Sequence, residues 1–142
     1  MSFEQELKTI IQENGPISVA KFMQEVLSHP KYGYYQTCNP FGVEGDFVTA
    51  PEISQIFGEL IGIWCATNWM QMGQPKEVAL VELGPGLGTL MDDMLRATKN
   101  IEGFHDTLDV YMVETSPVLR EFQKKRLEKV APNISWCDSI DE

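Results

Sequence analysis

The feature that most constrains the fold is a short apolar run followed by three closely spaced glycines. Residues Glu77–Glu82 read EVALVE, a pattern typical of a buried parallel strand. LGPGLG follows at once, and a helical pattern runs from about Thr89 to Lys99. Glycines in such a turn let the backbone approach a ligand without a Cβ clash, and the start of the helix offers free N–H groups.

Two further strands follow in the sequence. Residues Asp109–Glu114 (DVYMVE) and Ile134–Cys137 (ISWC) predict them, and a helix from Ser116 to about Val130 lies between. Alternation of strands and helices predicts a parallel sheet with right-handed crossovers. The expected fold class is therefore α/β, with an N-terminal helical segment followed by the first half of a Rossmann-like sheet.

The last predicted strand lies close to Glu142, the final residue. In a doubly wound sheet the first strand is central and pairs on both sides. Here the second edge of that strand has no predicted partner, and a bare apolar edge favours association. We therefore expect that this chain is the front part of a longer protein, or that something else covers the edge, with self-association as one outcome.

The N-terminal half has the pattern of helices. Ser2 and Gln5 form a capping box for a first helix, which ends at residues 15–16, and Ser18 is placed to cap a second, which ends at residues 29–30. An aromatic loop of about twenty residues follows. Residues 1–75 are expected to belong to the same domain as residues 76–142, which hold the sheet.

A long helix is predicted after the aromatic loop. Thr49 and Glu52 form a second capping box, and the helix is expected to continue to about Met72. Its large apolar residues predict a largely buried face. These residues are Ile56, Phe57, Leu60, Ile61 and Trp64.

Charge and composition exclude several classes of function. Twenty-one acidic residues against 11 basic ones give a net charge of -10, which disfavours nucleic acid as a partner. The longest apolar stretch is interrupted by Gln55, Glu59 and Asn68, so no membrane insertion is predicted. The acidic N-terminus has the pattern of neither a signal peptide nor a transit peptide.

The cysteines indicate neither a disulfide framework nor a metal site. There are three of them, Cys38, Cys65 and Cys137, widely spaced and without a C-x-x-C motif. Three reduced thiols are the expected state.

The glycine-rich turn favours a cationic ligand. Gly84 and Gly86 match the first two positions of the dinucleotide fingerprint G-x-G-x-x-G, but Thr89 stands at the third, which disfavours an NAD-dependent oxidoreductase. Glu82 immediately before the turn disfavours a pyrophosphate and suits a positive group, such as the amine and sulfonium of S-adenosylmethionine. A tight turn that binds nothing is the alternative.

Two acids follow the second and third strands. Glu114 is expected at the carboxyl edge of the sheet beside the glycine-rich turn, where its carboxylate can accept both hydroxyls of a ribose. A solvated strand-end acid is the alternative for Glu114, which beside an open cleft is not expected to be a core residue. Asp138 is placed to face an adenine amine, although a surface acid is an equal alternative.

Three strings occur in order along the chain: YGYY, GDFVTAPEISQIFG and ELGPGLGTL. Together they resemble the MidA-like family of S-adenosylmethionine-dependent methyltransferases, whose eukaryotic members are mitochondrial arginine methyltransferases that assist complex I assembly. The resemblance extends from about Gly15 to Cys137. Family members continue through further strands that are absent here.

The resemblance implies a site as well as a cofactor. Glu82, Gly84, Pro85 and Gly86 map to the loop that binds S-adenosylmethionine, and Glu114 maps to the ribose-binding acid. The resemblance also implies that the segment Gly45–Pro51 forms a wall of the cofactor and substrate cleft. Within that segment, Thr49 and Ala50 are assigned to the cofactor and Asp46 to orienting the substrate nitrogen.

The expected function is methyl transfer from S-adenosylmethionine to a nitrogen of a protein arginine, linked by the resemblance to respiratory complex I assembly. The protein substrate would then be a subunit of that complex. The expected compartment is the cytoplasm in a bacterium and the mitochondrial matrix in a eukaryote. The alternative is a non-catalytic fragment that acts as a protein-binding assembly factor.

Overall fold

A computed structural model describes residues 2–37, 45–130 and 133–141. The chain divides into two units, residues 1–39 and residues 40–142. The second unit includes the long helix as well as the sheet.

The N-terminal unit is helical, as predicted. Its helices are α1 (Phe3–Asn14), α2 (Val19–Ser28) and the short α3 (Tyr34–Thr37). The capping box of Ser2 and Gln5 is present, and the Ser18 hydroxyl accepts a hydrogen bond from the backbone N–H of Lys21 at 3.1 Å. The short helix α3 was not predicted and lies near the start of the expected aromatic loop. Residues 38–44 of that loop, with Cys38, lie outside the described residues.

The second unit alternates helices and strands. Its elements are α4 (Ala50–Ile53), α5 (Gln55–Gln71), β1 (Val78–Leu83), α6 (Thr89–Thr98), β2 (Leu108–Val113), α7 (Pro117–Leu127) and β3 (Ile134–Cys137). The strands pair in parallel in the order β1-β2-β3. This confirms the α/β fold class, and each strand lies within one residue of its predicted bounds. Helix α7 ends about one turn earlier than predicted.

The core lies on one face of this sheet. Leu108, Val110 and Met112 of β2 point to it because side chains two residues apart share a face of a strand. Side chains from the helices complete the core: Ala66, Trp69, Met91, Leu95 and Leu127. On the opposite face Val81 is exposed and Leu83 is 63% exposed. Within the described residues β1 pairs only with β2, so its outer edge has no strand partner.

The predicted helix from Thr49 to Met72 is in fact two helices. Ser54 has extended backbone angles between α4 and α5, and its hydroxyl accepts a hydrogen bond from the N–H of Ile56. The second capping box is also wrong, because the Thr49 side chain caps nothing. The Glu52 carboxylate accepts a hydrogen bond from the Thr89 hydroxyl instead.

The predicted buried face of α5 is wrong as well. Trp64 is 66% exposed, and Ile56, Phe57 and Leu60 are exposed too. The buried side of the helix is made of small residues, Gly58, Gly62 and Ala66, with Trp69 at its end. Close packing explains this choice, since a Cβ at Gly62 would stand 2.6 Å from the carbonyl oxygen of Met94 in α6.

The described residues contain no helix that is both long and apolar enough to cross a membrane. Cys65 and Cys137 are free thiols. Burial raises the pKa of the Cys65 thiol above its ordinary value.

Gly62→Ala tests the packing of α5 on α6. Helix propensity alone favours alanine by about 1 kcal/mol. The contact with the Met94 backbone predicts the opposite sign, a loss of about 1–3 kcal/mol in the free energy of unfolding, because backbone atoms cannot yield as a flexible side chain can. Urea denaturation measures this difference. Leu60→Ala on the exposed side of α5 serves as the control and should cost less than about 0.5 kcal/mol; a stabilised Gly62→Ala protein would contradict the close packing.

Candidate functional site

The carboxyl ends of the three strands meet at one edge of the sheet. The N–H of Gly84, which follows β1, donates to the carbonyl of Val113 at 3.0 Å. The N–H of Glu114, which follows β2, donates to the carbonyl of Cys137 at 3.0 Å. Asp138 follows β3. The structure therefore brings the glycine-rich turn and both predicted acids to the same edge.

The glycine-rich turn has a backbone that side chains rarely tolerate. Gly84, Gly86 and Gly88 have φ angles of 64°, 55° and 76°, all in the left-handed region. The N–H of Gly88 closes the turn by donating to the carbonyl of Pro85 at 2.8 Å, and α6 begins at the next residue. The alternate spacing of glycines thus follows from the path of the chain between β1 and α6.

A cleft of about 310 Å³ opens against this turn. Six residues of the predicted site line it: Thr49, Ala50, Glu82, Gly84, Pro85 and Gly86. Others were not assigned to a site from the sequence, among them Glu52, Phe57 and Leu90. The cleft therefore lies between the start of α4 and the turn after β1.

Glu82 is the main electrostatic feature of the cleft. It shares a face of β1 with Val78 and Leu80, which pack against the core, so its side chain is carried inward. Its Oε2 atom is buried and has no hydrogen-bond partner among the described residues. Burial away from water raises the pKa of Glu82 to about 7. The wall of the cleft thus holds a carboxylate whose charge lacks compensation.

Glu52 connects the two walls of the cleft. Its carboxylate accepts the hydrogen bond from Thr89, the first residue of α6, while Glu52 itself lies in α4. A second polar contact joins the neighbouring helices, where Arg96 of α6 donates to Glu59 of α5 at 2.8 Å. From the sequence Glu52 was interpreted only as a capping residue; its occurrence in the string TAPEIS beside the assigned Thr49 and Ala50 was the available signal.

Glu114 differs from the expectation that it lies outside the core. It is only 8% exposed. Its Oε1 accepts a hydrogen bond from the N–H of Ser116 at 2.8 Å, and its Oε2 contacts Nε2 of Gln123 at 3.4 Å. The Glu114 carboxylate is thus held in the interior by one contact at the start of α7 and one within that helix.

The remaining predicted residues are more exposed. The Asp138 carboxylate lies 2.5 Å from Nη2 of Arg120 and is exposed. Asp46 is also exposed, and neither it, Glu114 nor Asp138 is among the described residues that line the cleft of Glu82. The roles assigned to these three acids stay predictions. In the part of the chain that the structure describes, no group of three or more metal-ligating side chains occurs.

Comparisons with known proteins identify a family at this point. A family model described as "Putative S-adenosyl-L-methionine-dependent methyltransferase" matches residues 60–142. A protein of Xenopus laevis named mitochondrial protein arginine methyltransferase NDUFAF7 is 52% identical over 119 residues, which is 82% of this chain and 27% of that protein. The human protein of the same name is 48% identical over 121 residues. The chain thus spans little more than a quarter of these relatives.

A solved structure shows the same architecture. It is a COG1565 superfamily member from Burkholderia thailandensis, bound to S-adenosyl-homocysteine, and it superposes with a TM-score of 0.77 at 27% identity. The match covers 96% of this chain and 37% of that one. Similarity in sequence and in structure therefore extends over nearly the whole chain.

Glu82→Gln is expected to stabilise the protein above neutral pH. The pKa of Glu82 is raised in the folded state, so folding binds a proton between pH 4.5 and 7, and the stability of the wild-type protein falls as pH rises through this range. Glutamine has no such proton. The free energy of unfolding of Glu82→Gln should therefore equal that of the wild type near pH 4.5 and exceed it by on the order of 3 kcal/mol above pH 7. Urea denaturation between pH 5 and 8 measures it.

The control for this experiment is the exposed residue Glu102, whose substitution by glutamine should leave the pH profile unchanged. Parallel pH profiles for the wild-type protein and Glu82→Gln would contradict the burial of an uncompensated carboxylate.

Proposed function

Because the chain belongs to this family of S-adenosyl-L-methionine-dependent methyltransferases, we propose that its cleft binds S-adenosyl-L-methionine as a methyl donor. The observation that carries the proposal is that one cleft combines a left-handed glycine turn with Glu82, whose buried Oε2 has no hydrogen-bond partner in the part of the chain that the structure describes. The Glu82 oxygen that has no partner among the described residues does not stabilise the folded protein. Both features are accounted for by a ligand that approaches the backbone and brings a positive charge.

The residues of the cleft fit the cofactor. S-adenosyl-L-methionine carries an ammonium and a sulfonium, and a carboxylate excluded from water interacts strongly with either. At Gly84 an added Cβ would meet nothing within 4 Å, so the backbone borders open space. That space is available to a ligand as long as residue 84 lacks a side chain.

Glu114 and Asp138 are proposed for the nucleoside end. Their support is their position, because they follow β2 and β3, whose carboxyl ends lie at the same edge of the sheet as that of β1. In this proposal Glu114 accepts hydrogen bonds from the ribose hydroxyls, and Asp138 faces the adenine amine. The hydrogen bond from Ser116 would hold the Glu114 carboxylate in place, and a carboxylate retains further lone pairs for a ligand.

The proposed acceptor is a guanidinium nitrogen of a protein arginine. The bound cofactor supplies an electrophilic methyl group, and the chain would place the nitrogen in line with it. Two carboxylates in the cleft, Glu52 and Glu82, suit a cationic acceptor, and Asp46 is proposed to orient the nitrogen. The names of the relatives support arginine as the target.

By the same resemblance, a respiratory complex I subunit is the proposed substrate. The relatives are named mitochondrial. We propose the mitochondrial matrix as the compartment of a eukaryotic form and the cytoplasm as that of a bacterial one.

Protein binding is the second candidate function. It is favoured by the outer face of the sheet, where Ala79, Val81, Tyr111, Val113 and Cys137 line an open groove of about 320 Å³. The outer edge of β1 borders this face. An apolar face next to an unpaired strand edge is a typical site of association. When no other protein is present, we propose that a second copy of the chain binds this face.

Gly84→Ala is expected to weaken cofactor binding about tenfold or more while it changes stability only modestly. The new methyl group would occupy space that the ligand needs, although it meets no protein atom. The left-handed φ adds a strain of about 1–2 kcal/mol. Calorimetric titration with S-adenosylmethionine and with S-adenosylhomocysteine measures the affinity, and urea denaturation measures the stability.

Gly73→Ala is the matched control. Gly73 has a φ of 84° and, like Gly84, nothing within 4 Å of an added Cβ, but it is not among the residues that line the cleft. Both variants should lose similar stability, and only Gly84→Ala should lose affinity. Equal affinities in the two variants would remove the glycine-rich turn from the cofactor site, and a wild-type chain that binds neither ligand would favour the second candidate function.

Val81→Lys is expected to dissociate the self-associated chain. A lysine on the outer face of an edge strand opposes the pairing of two such edges. Sedimentation equilibrium should give a mass above that of the monomer for the wild-type chain and the monomer mass for Val81→Lys. Val19→Lys, at an exposed valine of the N-terminal unit, should behave as the wild type. A wild-type chain that stays monomeric at every concentration would contradict self-association.

A further inference from the structure

Gln123 of α7 is a buried polar residue that the proposed function does not yet use. It is 0% exposed. Burying an amide is costly unless its donors and acceptor are satisfied, whereas a leucine or methionine would pack at little cost. Its hydrogen bonds therefore indicate what the residue does.

The amide of Gln123 contacts residues from all three strands or the turns that follow them. Its Nε2 donates to the carbonyl of Gly86 at 2.8 Å and makes a longer contact of 3.4 Å with Oε2 of Glu114. Its Oε1 accepts from Nε1 of Trp136 in β3 at 2.9 Å. One side chain thus joins the glycine-rich turn, the acid after β2 and the third strand.

Trp136 determines which way the amide points. An indole N–H can only donate, so the oxygen of Gln123 must face it. The two donors of the NH₂ group are then directed at the Gly86 carbonyl and the Glu114 carboxylate, both of which can only accept. The orientation is unambiguous because all three partners require it.

The stem of Gln123 also fits the turn closely. A Cβ at Gly88 would lie 3.3 Å from Cγ and 3.4 Å from Cα of Gln123. The turn therefore packs on Gln123 at Gly88 and is hydrogen-bonded to it at Gly86. Neither the turn nor Glu114 can shift without loss of these contacts.

We propose that Gln123 is a positioning residue that holds the glycine-rich turn and the Glu114 carboxylate in a fixed relation, as binding of S-adenosylmethionine requires. This rests on the proposed function. Gln123 does not itself touch the ligand. It acts through the Gly86 peptide, which the ligand approaches, and through Glu114, which accepts the ribose hydroxyls.

The test is Gln123→Met, which keeps the length of the side chain and removes the amide. Calorimetric titration with S-adenosylhomocysteine should show a rise in Kd of about tenfold or more. The control is Thr98→Val, since Thr98 is a buried residue of α6 whose hydroxyl bonds to the Met94 carbonyl. It should lose stability without loss of affinity.

A double-mutant cycle with Glu114→Gln separates positioning from general destabilisation. If Gln123 acts partly through Glu114, the increase in Kd for the double variant should be clearly smaller than the product of the two single increases. A purely structural role predicts simple multiplication of the two effects, and that result, or an unchanged Kd in Gln123→Met, overturns the proposal.

Two further outcomes are distinguishable. If the wild-type chain fails to bind S-adenosylhomocysteine, the proposed function fails and the positioning role fails with it. If Gln123→Met does not fold, Trp136→Phe replaces it, because this change keeps the amide and removes the bond that fixes its orientation. A Kd raised about threefold or more by Trp136→Phe, without the same effect in Thr98→Val, supports the proposal, and an unchanged Kd overturns it.

Discussion

The parallel register between β1 and β2 determines where Glu82 and the glycine-rich turn of the cleft lie. Leu83 pairs with Val113, and the N–H of Gly84 donates to the Val113 carbonyl. A slip of one residue would turn Glu82 to the outer face, because side chains alternate along a strand. The inner-face residues of β1 oppose such a slip, since Val78 and Leu80, which pack against the core, would leave it. The geometry of the site is thus stabilised by the same apolar packing that stabilises the fold.

The second determinant of the cleft geometry is the close approach of α5 to α6. A Cβ on Gly58 would stand 2.6 Å from Cβ of Asp93, so large side chains cannot occupy this side of α5. The small residues let the two helix backbones come together, and that brings α4 near the start of α6. The hydrogen bond between Glu52 and Thr89 is possible only because of this approach. The cleft therefore depends on Gly58 and Gly62, glycines that do not themselves line it.

The sequence was informative wherever local pattern decides the structure. Strands were predicted to within a residue because apolar runs of that length end in clear turn signals, as at Leu83 and Gly84. The caps at Ser2 and Ser18 were also predictable, because a serine cap bonds to a backbone N–H only three residues further along the chain.

Contacts between distant residues were not predictable. Glu114 is buried by Gln123, nine residues further along, and Glu52 is bound by Thr89, thirty-seven residues away. The prediction of which face of α5 is buried was wrong because apolar residues occur on both sides of the helix. Only packing against the partner helix determines that the glycine side is buried. Composition alone predicts that the side of α5 with the larger apolar side chains is the buried one.

Two carboxylates with a buried oxygen, one in the cleft and one outside it, differ in how their charge is compensated. Asp93 and Glu82 each have one buried oxygen without a hydrogen-bond partner among the described residues. Asp93 lies 2.5 Å from the Arg96 guanidinium, so its charge is compensated within the protein. Glu82 has no such cation among the described ion pairs, and its pKa is raised to about 7 as a result of burial. A protein selected only for stability would replace Glu82 by an apolar residue, because an uncompensated buried charge is costly. The retention of this charge in the cleft is physically reasonable when the compensating cation arrives with a ligand, and a cationic methyl donor would supply it.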